Sequence, residues 1–222
     1  MTEIWPGEAR RHPPLSSPTW TVRAPLSAWI EAEARAAHER FGTYRVLDVG
    51  CGVKPYYPFF EPYVSEYVGV DVVENPAADL RGAIEALPVE DASFDLVLCA
   101  QVLEHCDDPA QAVRELRRVV RPGGRVLAST HGVQVYHPSP VDLWRWTHAG
   151  LERLFTQSAG WSTVTVRPSS GTTACLGMLL AIYTDLLSRR AHGARIGSAL
   201  VSGINRAARA IDAGSTQLSE PR

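Results

Sequence analysis

Gly50 and Gly52 follow directly on the apolar run Arg45-Val46-Leu47-Asp48-Val49, and an acid, Asp71, ends a second apolar run farther on. Glycines in the turn after a strand let the backbone come close to a ligand, and a carboxylate about 20 residues later reaches ribose hydroxyls. The spacing points to a cofactor that carries a nucleoside. Asp48 stands just ahead of the glycines and Cys51 lies between them. A pyrophosphate-binding turn asks for a third glycine at position 55, which is Pro55 here, whereas an adenosyl ligand without a pyrophosphate needs none. An NAD-dependent enzyme is therefore the lesser alternative. A second group of reactive side chains lies downstream, where His131, His137, Asp142 and Arg145 are interleaved with Tyr136, Trp144 and Trp146. His131 and His137 suit a general base. Asp142, Arg145 and Thr147 equally suit a structural knot ahead of a helix, with Thr147 as its N-cap. His131, His137 and Asp142 are metal-ligand types, but nothing in their spacing demands an ion, so no metal is expected.

The elements that must hold these groups alternate in type. Apolar runs at 45–49, 67–71, 94–99, 125–130 and 161–166 read as strands. A helix is expected at 26–41, ended by Gly42, and another from Asp107-Asp108-Pro109 to Pro122-Gly123-Gly124, with Val113, Leu116 and Val120 on its apolar face and Arg114, Arg117, Arg118 and Arg121 on its wet face. A further helix follows at about 148–159. Strands alternating with helices imply a mostly parallel sheet covered on both faces. His131, just past the strand at 125–130, then falls on the same side of the sheet as the glycine turn.

The composition fits one domain with appendages. The 222 residues are 45% hydrophobic and 21% charged, with a net charge of −2, which excludes a disordered tail protein and offers no broad attraction to phosphate backbones. A nucleic-acid partner is not expected. Of the 22 basic residues only Lys54 is a lysine. The polar, proline-rich start does not suit a secretory signal, and Cys51, Cys99, Cys106 and Cys175 form no Cys-x-x-Cys pair, so reduced thiols in a cytoplasmic protein are expected. The apolar stretch at 172–187 is too short for a membrane span and carries Asp185.

Five stretches, in order, resemble the motifs of class I S-adenosylmethionine-dependent methyltransferases, and most of all the type 11 branch. They are Val46-Leu47-Asp48-Val49-Gly50-Cys51-Gly52, Gly69-Val70-Asp71, Leu87-Pro88 through Phe94-Asp95, Val102-Leu103-Glu104-His105, and Arg118 through Gly124. The resemblance covers about residues 26–168 and implies a Rossmann-like three-layer α/β sandwich. It implies S-adenosylmethionine as cofactor and methyl transfer to a small-molecule acceptor, at oxygen or nitrogen, by in-line displacement. Asp48, Gly50, Cys51 and Gly52 would line the methionine half; Asp71 would take the ribose hydroxyls, with Val72 and Ile84 beside the adenine; Gln101 would pass under the sulfonium. Two positions depart from the pattern: Lys54 stands where a third glycine is usual, and Ala83 where an acid usually meets the adenine amino group. These departures encourage a rival reading as a binding scaffold that kept the fold without catalysis.

The resulting division is an arm at 1–24, a cofactor-binding domain at 25–168, a helical extension at 169–212 and a tail at 213–222. Aromatic density, including Trp5 and Trp20, suggests the arm as a lid over the acceptor. No period-2 run follows Val166, so two helices, 172–190 and 194–212, stand where the family places a last antiparallel strand. They are candidates for covering the sheet edge, for a homodimer interface, or for resting on a membrane surface.

Overall fold

The computed structural model describes residues 6–137 and 141–214. Trp5, the Pro138 and Pro140 of the downstream loop, and most of the tail lie outside the described residues. Along the chain the elements are α1 (Glu8–Arg11), α2 (Trp20–Phe41), β1 (Tyr44–Val49), α3 (Tyr57–Phe60), β2 (Val64–Asp71), β3 (Leu80–Arg81), β4 (Phe94–Ala100), a 3₁₀ turn (Leu103–His105), α4 (Pro109–Val119), β5 (Val120–Ser129), α5 (His148–Ser158), α6 (Thr172–Arg190) and α7 (Ala194–Gly214). They fall into two compact units. Of the described residues, one holds 6–7, 30–137 and 141–167, the other 8–29 and 168–214.

The first unit is built on five strands in the order β3-β2-β1-β4-β5, every neighbouring pair parallel. Successive side chains of a strand point to opposite faces, and β4 is buried along both, with Leu96 and Leu98 on one and Val97 and Cys99 on the other. Such two-sided burial is what a parallel sheet between helices requires. On one face Leu47, Val49, Val97 and Cys99 join Ala112, Leu116 and Val119 of α4 in a single core. Beside the sheet, the later half of α2 buries Ile30, Ala34 and Ala37, and the buried Tyr44 hydroxyl donates to the Ala34 carbonyl at 2.8 Å.

Two expectations need correction. The run at 161–166 forms no strand; Trp161 instead packs against Phe155 and lies under the Arg117 guanidinium, whose Nε donates to Gly160 O at 2.9 Å. The fifth strand is β3, two residues long, which no periodicity could announce. On α4 the wet face is also less wet than its sequence suggests. Arg118 pairs with Glu115 and Asp91 and donates to the Leu87 and Val89 carbonyls, while the Leu87 N–H donates to Glu115 at 2.8 Å. The Leu87-to-Asp95 stretch is thereby tied to α4. Burial opposes charge on Arg118, but its bonds to Glu115 and Asp91 win and raise its pKa further.

In the second unit α6 and α7 form an antiparallel hairpin: Thr173 N meets Asp212, Gly177 lies against Ala208, and Gly197 against Ser188. Helix α2 starts six residues earlier than the sequence suggests, with Pro25 inside it. A proline there leaves the carbonyl of Thr21 without its helical N–H, and the Ser170 hydroxyl donates to that carbonyl instead, at 2.5 Å. Asn205, fully buried, donates from Nδ2 to the carbonyls of Leu15 (2.8 Å) and Ser17 (2.9 Å). Asp212 accepts from the Thr173 and Ala174 N–H groups at the start of α6, where donors have no partner within the helix.

Candidate active site

In the order 3-2-1-4-5 the chain reverses direction of travel between β1 and β4, and ligands of open parallel sheets sit at the carboxyl ends of such a pair. Gly50 has φ +67, a left-handed conformation that suits glycine. A β-carbon there would stand 2.4 Å from Val102 Cγ2, so the turn after β1 and the turn after β4 close on each other only because position 50 has no side chain. Gln101 also has positive φ, +61, and is held by its N–H to Ser129 O (2.9 Å) and its Nε2 to Ser129 Oγ (3.1 Å).

Asp71 ends β2 and locks the glycine turn. Its Oδ2 accepts from Gly52 N at 3.1 Å and from Asn75 Nδ2 at 3.1 Å, and Asn75 also donates to Gly52 O at 2.6 Å. Its Oδ1 receives a long 3.3 Å bond from Val73 N. A carboxylate offers about four acceptor positions, so Asp71 keeps capacity to accept from a ligand hydroxyl, as a ribose would offer. Val72 beside it is 57% exposed, whereas Ile84 is buried in the core under β4. Asp48 is buried and accepts from the Tyr67 hydroxyl at 2.7 Å. Burial, then Asp48 and Asp71, push the Cys51 thiol up to about 12, so Cys51 packs as a neutral side chain.

Lys54 takes φ +49, the conformation that favours the glycine usual at this point. Its side chain is only 12% exposed, its Nζ reaches Asp79 Oδ2 at 2.5 Å, and the same oxygen accepts from Gly69 N at 2.7 Å. The lysine stem crosses Gly69 so closely that a β-carbon there would be 2.4 Å from Lys54 Cε. Burial pushes the Asp79 carboxyl up, but the Gly69 N–H and the ammonium outweigh it and hold it below the usual range. Lys54 thus pins the turn after β1 to the start of β3.

Beyond β4 and β5 the histidines converge on one acid. Glu104, wholly buried in the 3₁₀ turn, accepts from Thr130 Oγ1 at 2.8 Å on Oε2. Its Oε1 accepts no aligned hydrogen bond, and His131 Nε2 is 3.2 Å away. Burial raises the Glu104 pKa. Burial, then Arg145 and His137, lower that of His131 to about 4, so its imidazole is neutral at pH 7. The ring of His137 lies edge-on to both His105 (5.1 Å) and His131 (5.7 Å). The loop carrying it is strapped back onto the turn by Leu143 N and Trp144 N to Glu104 O, Trp144 Nε1 to Cys106 O and His105 Nδ1 to Val141 O.

Asp142 and Arg145 form a two-bond ion pair at 2.5 and 2.6 Å, with His137 N donating to the same carboxylate, and Arg145 holds the Asp142 carboxyl well below the usual range. Thr147 caps α5 through Gly150 N at 3.1 Å. His105, His137 and Asp142 bring one potential ligand atom each within 4.8 Å of one another, but both Asp142 oxygens are bonded to Arg145. Asn75 and Asp79 escaped the sequence reading, in which Glu104 stood only as part of the stretch Val102-Leu103-Glu104-His105, with no place beside His131. Only Glu104 left a signal, a lone acid inside the apolar run Val102-Leu103-Glu104.

Residues 47–128 match the family described as a methyltransferase domain, type 11. The chain is 36% identical over 115 residues to an uncharacterized methyltransferase, YcgJ of Bacillus subtilis, covering 45% of this chain and 43% of that protein. It is 42% identical over 104 residues to a malonyl-[acyl-carrier protein] O-methyltransferase of Erwinia pyrifoliae, covering 42% and 40%. The crystal structure of B. subtilis YcgJ superposes with a TM-score of 0.48 at 26% identity, over 58% of this chain and 66% of that one. The chain thus spans less than half the length of these two curated relatives. Over residues 47–128 the chain is similar to methyltransferase domains of the type 11 family.

Proposed function

We propose that this chain transfers a methyl group from S-adenosylmethionine to a small-molecule acceptor, at oxygen or nitrogen. The observation that carries the reading is the meeting of the β1 and β4 turns at Gly50 and Val102, with the partly committed carboxylate of Asp71 beside them. When bound, the cofactor supplies an electrophilic methyl group on a sulfonium. Asp71 accepts the ribose hydroxyls, Val72 offers apolar surface to the adenine, and Gly50, Cys51 and Gly52 give the backbone along which the methionine half lies. Asp48, bonded to Tyr67, and Ile84, in the core, act from behind these groups.

For a hydroxyl acceptor a proton must leave as the new bond forms. His131 is the base in this reading: it is neutral, it follows β5, and with Nε2 turned to Glu104 its Nδ1 is the nitrogen that takes the proton. Glu104 positions the ring and stabilises the imidazolium, as an acid behind a histidine does in other proton-transfer pairs. His137, edge-on to His131, is a second candidate.

Calorimetry with S-adenosylhomocysteine tests the cofactor half. Binding by the natural protein, and its loss in Asp71→Ala combined with Gly50→Val, is the expected result; no binding, or undiminished binding by the double variant, refutes it. For the base, Glu104→Gln should lower kcat and shift the pH profile while leaving S-adenosylhomocysteine affinity intact.

A further inference from the structure

The second unit carries an apolar face that its own packing does not use. In α6 the side toward α7 is formed by Gly177, Met178 and Ala181, and in α7 by Gly197, Val201 and Ala208. One position earlier in each helix the side chains are large, apolar and bare. These are Leu176, Leu180, Tyr183 and Leu187 on α6, and Ile196 and Leu200 on α7, each between 46% and 69% exposed. Steps of three and four residues make each set a stripe. Both stripes are turned in the same rotational sense from the line of contact, and in an antiparallel pair that puts them on one face. No helix among the described residues is long and apolar enough to cross a membrane, so the face suits lying on a surface.

Charge selects the surface. Residues 8–29 and 168–214 hold eight arginines against three carboxylates, and each carboxylate is engaged: Glu8 by Arg11, Asp185 by Arg189, Asp212 by the first N–H groups of α6. Arg189, Arg190 and Arg195, all exposed, flank the turn of the hairpin, within three residues of Leu187 or Ile196 along the chain. A second copy packed hairpin to hairpin would bring the same excess of positive charge to the contact and repel it. We propose that the α6/α7 hairpin lies on an anionic lipid bilayer, its apolar stripes at the acyl boundary and its arginines among the phosphate headgroups.

The test is co-sedimentation of the full chain with phosphatidylcholine vesicles, with and without about a third phosphatidylglycerol. The protein should pellet with the anionic vesicles and stay in solution with the neutral ones. Leu180→Glu with Leu200→Glu removes the stripes, and Arg190→Glu with Arg195→Glu reverses the tip; each should weaken binding by roughly tenfold or more, as should high salt. All four positions are exposed, and thermal melts verify that the variants fold. Failure to pellet with anionic vesicles overturns the proposal, as does full binding by both double variants. A dimer in solution that Leu180→Glu with Leu200→Glu dissolves, without vesicle binding, overturns it in favour of self-association.

Discussion

The two units answer the same problem in opposite ways. The sheet unit buries β-branched and leucine side chains on both faces of parallel strands and keeps its polar machinery at the strand ends. The helical unit packs small residues, Gly177, Ala181 and Ala208, and closes around a buried amide, Asn205. Their charges also diverge: residues 30–167 carry nineteen carboxylates against thirteen basic groups, the reverse of the helical unit. A net charge of −2 for the chain hides this division. Near-neutral composition therefore says little about partners when the signs are segregated.

The sharpest way to break the contrast is at the sheet unit's most constrained backbone position. Gly50→Val adds a side chain where φ is +67 and Val102 is in the way, and about 3 kcal/mol of stability should be lost, read as a lower urea midpoint. In the helical unit Asn205→Leu removes the bonds to Leu15 O and Ser17 O and should cost about 2 kcal/mol, seen as faster amide exchange in α7. Arg118→Met tests whether the sheet unit also depends on a polar clamp. It removes the guanidinium bonds to the Leu87 and Val89 carbonyls and to the buried Glu115, for a loss of somewhat under about 2 kcal/mol.

Acidification is a gentler probe. His131 has an ordinary value of 6.5 and is held near 4 when folded, so the unfolded chain takes up the proton first as pH falls. Its contribution to stability is complete above pH 6.5 and is lost between there and about 4. Melting temperature should decline across that window, less steeply in His131→Phe. The smallest effect is expected of Lys54→Gly, which relieves a positive φ but surrenders the bond to Asp79; a net change within about 1 kcal/mol is expected, with any change in cofactor affinity read by calorimetry.

What could be read in the sequence was what is local. The glycine turn after β1, the Asp108 cap at Gln111 N, the Thr147 cap and the limits of α6 each depend on a few adjacent residues. Misreadings came where distant residues decide. The strand expected at 161–166 does not form, and its first residue, Trp161, is held by Phe155 and the Arg117 guanidinium, neither of which lies in a strand. Helix α2 runs through Pro25 because Ser170, distant in sequence, replaces the missing donor. The candidate site divides in the same way: Asp71 was legible from spacing, whereas the pairing of Glu104 with His131 needs β4 and β5 side by side.

The four cysteines bear on how this protein can be observed. Cys51 and Cys106 are both pushed up to about 12, chiefly by burial, and Cys99 well above its ordinary value for the same reason. Thiolate is the form that reacts, so these three resist alkylation while the fold holds. Cys175, half-buried on α6, is the thiol that a maleimide dye should reach first in the folded chain. A fluorophore attached there without any engineered cysteine would sit on the helical hairpin, where it can report on that unit while the sheet unit stays unlabelled.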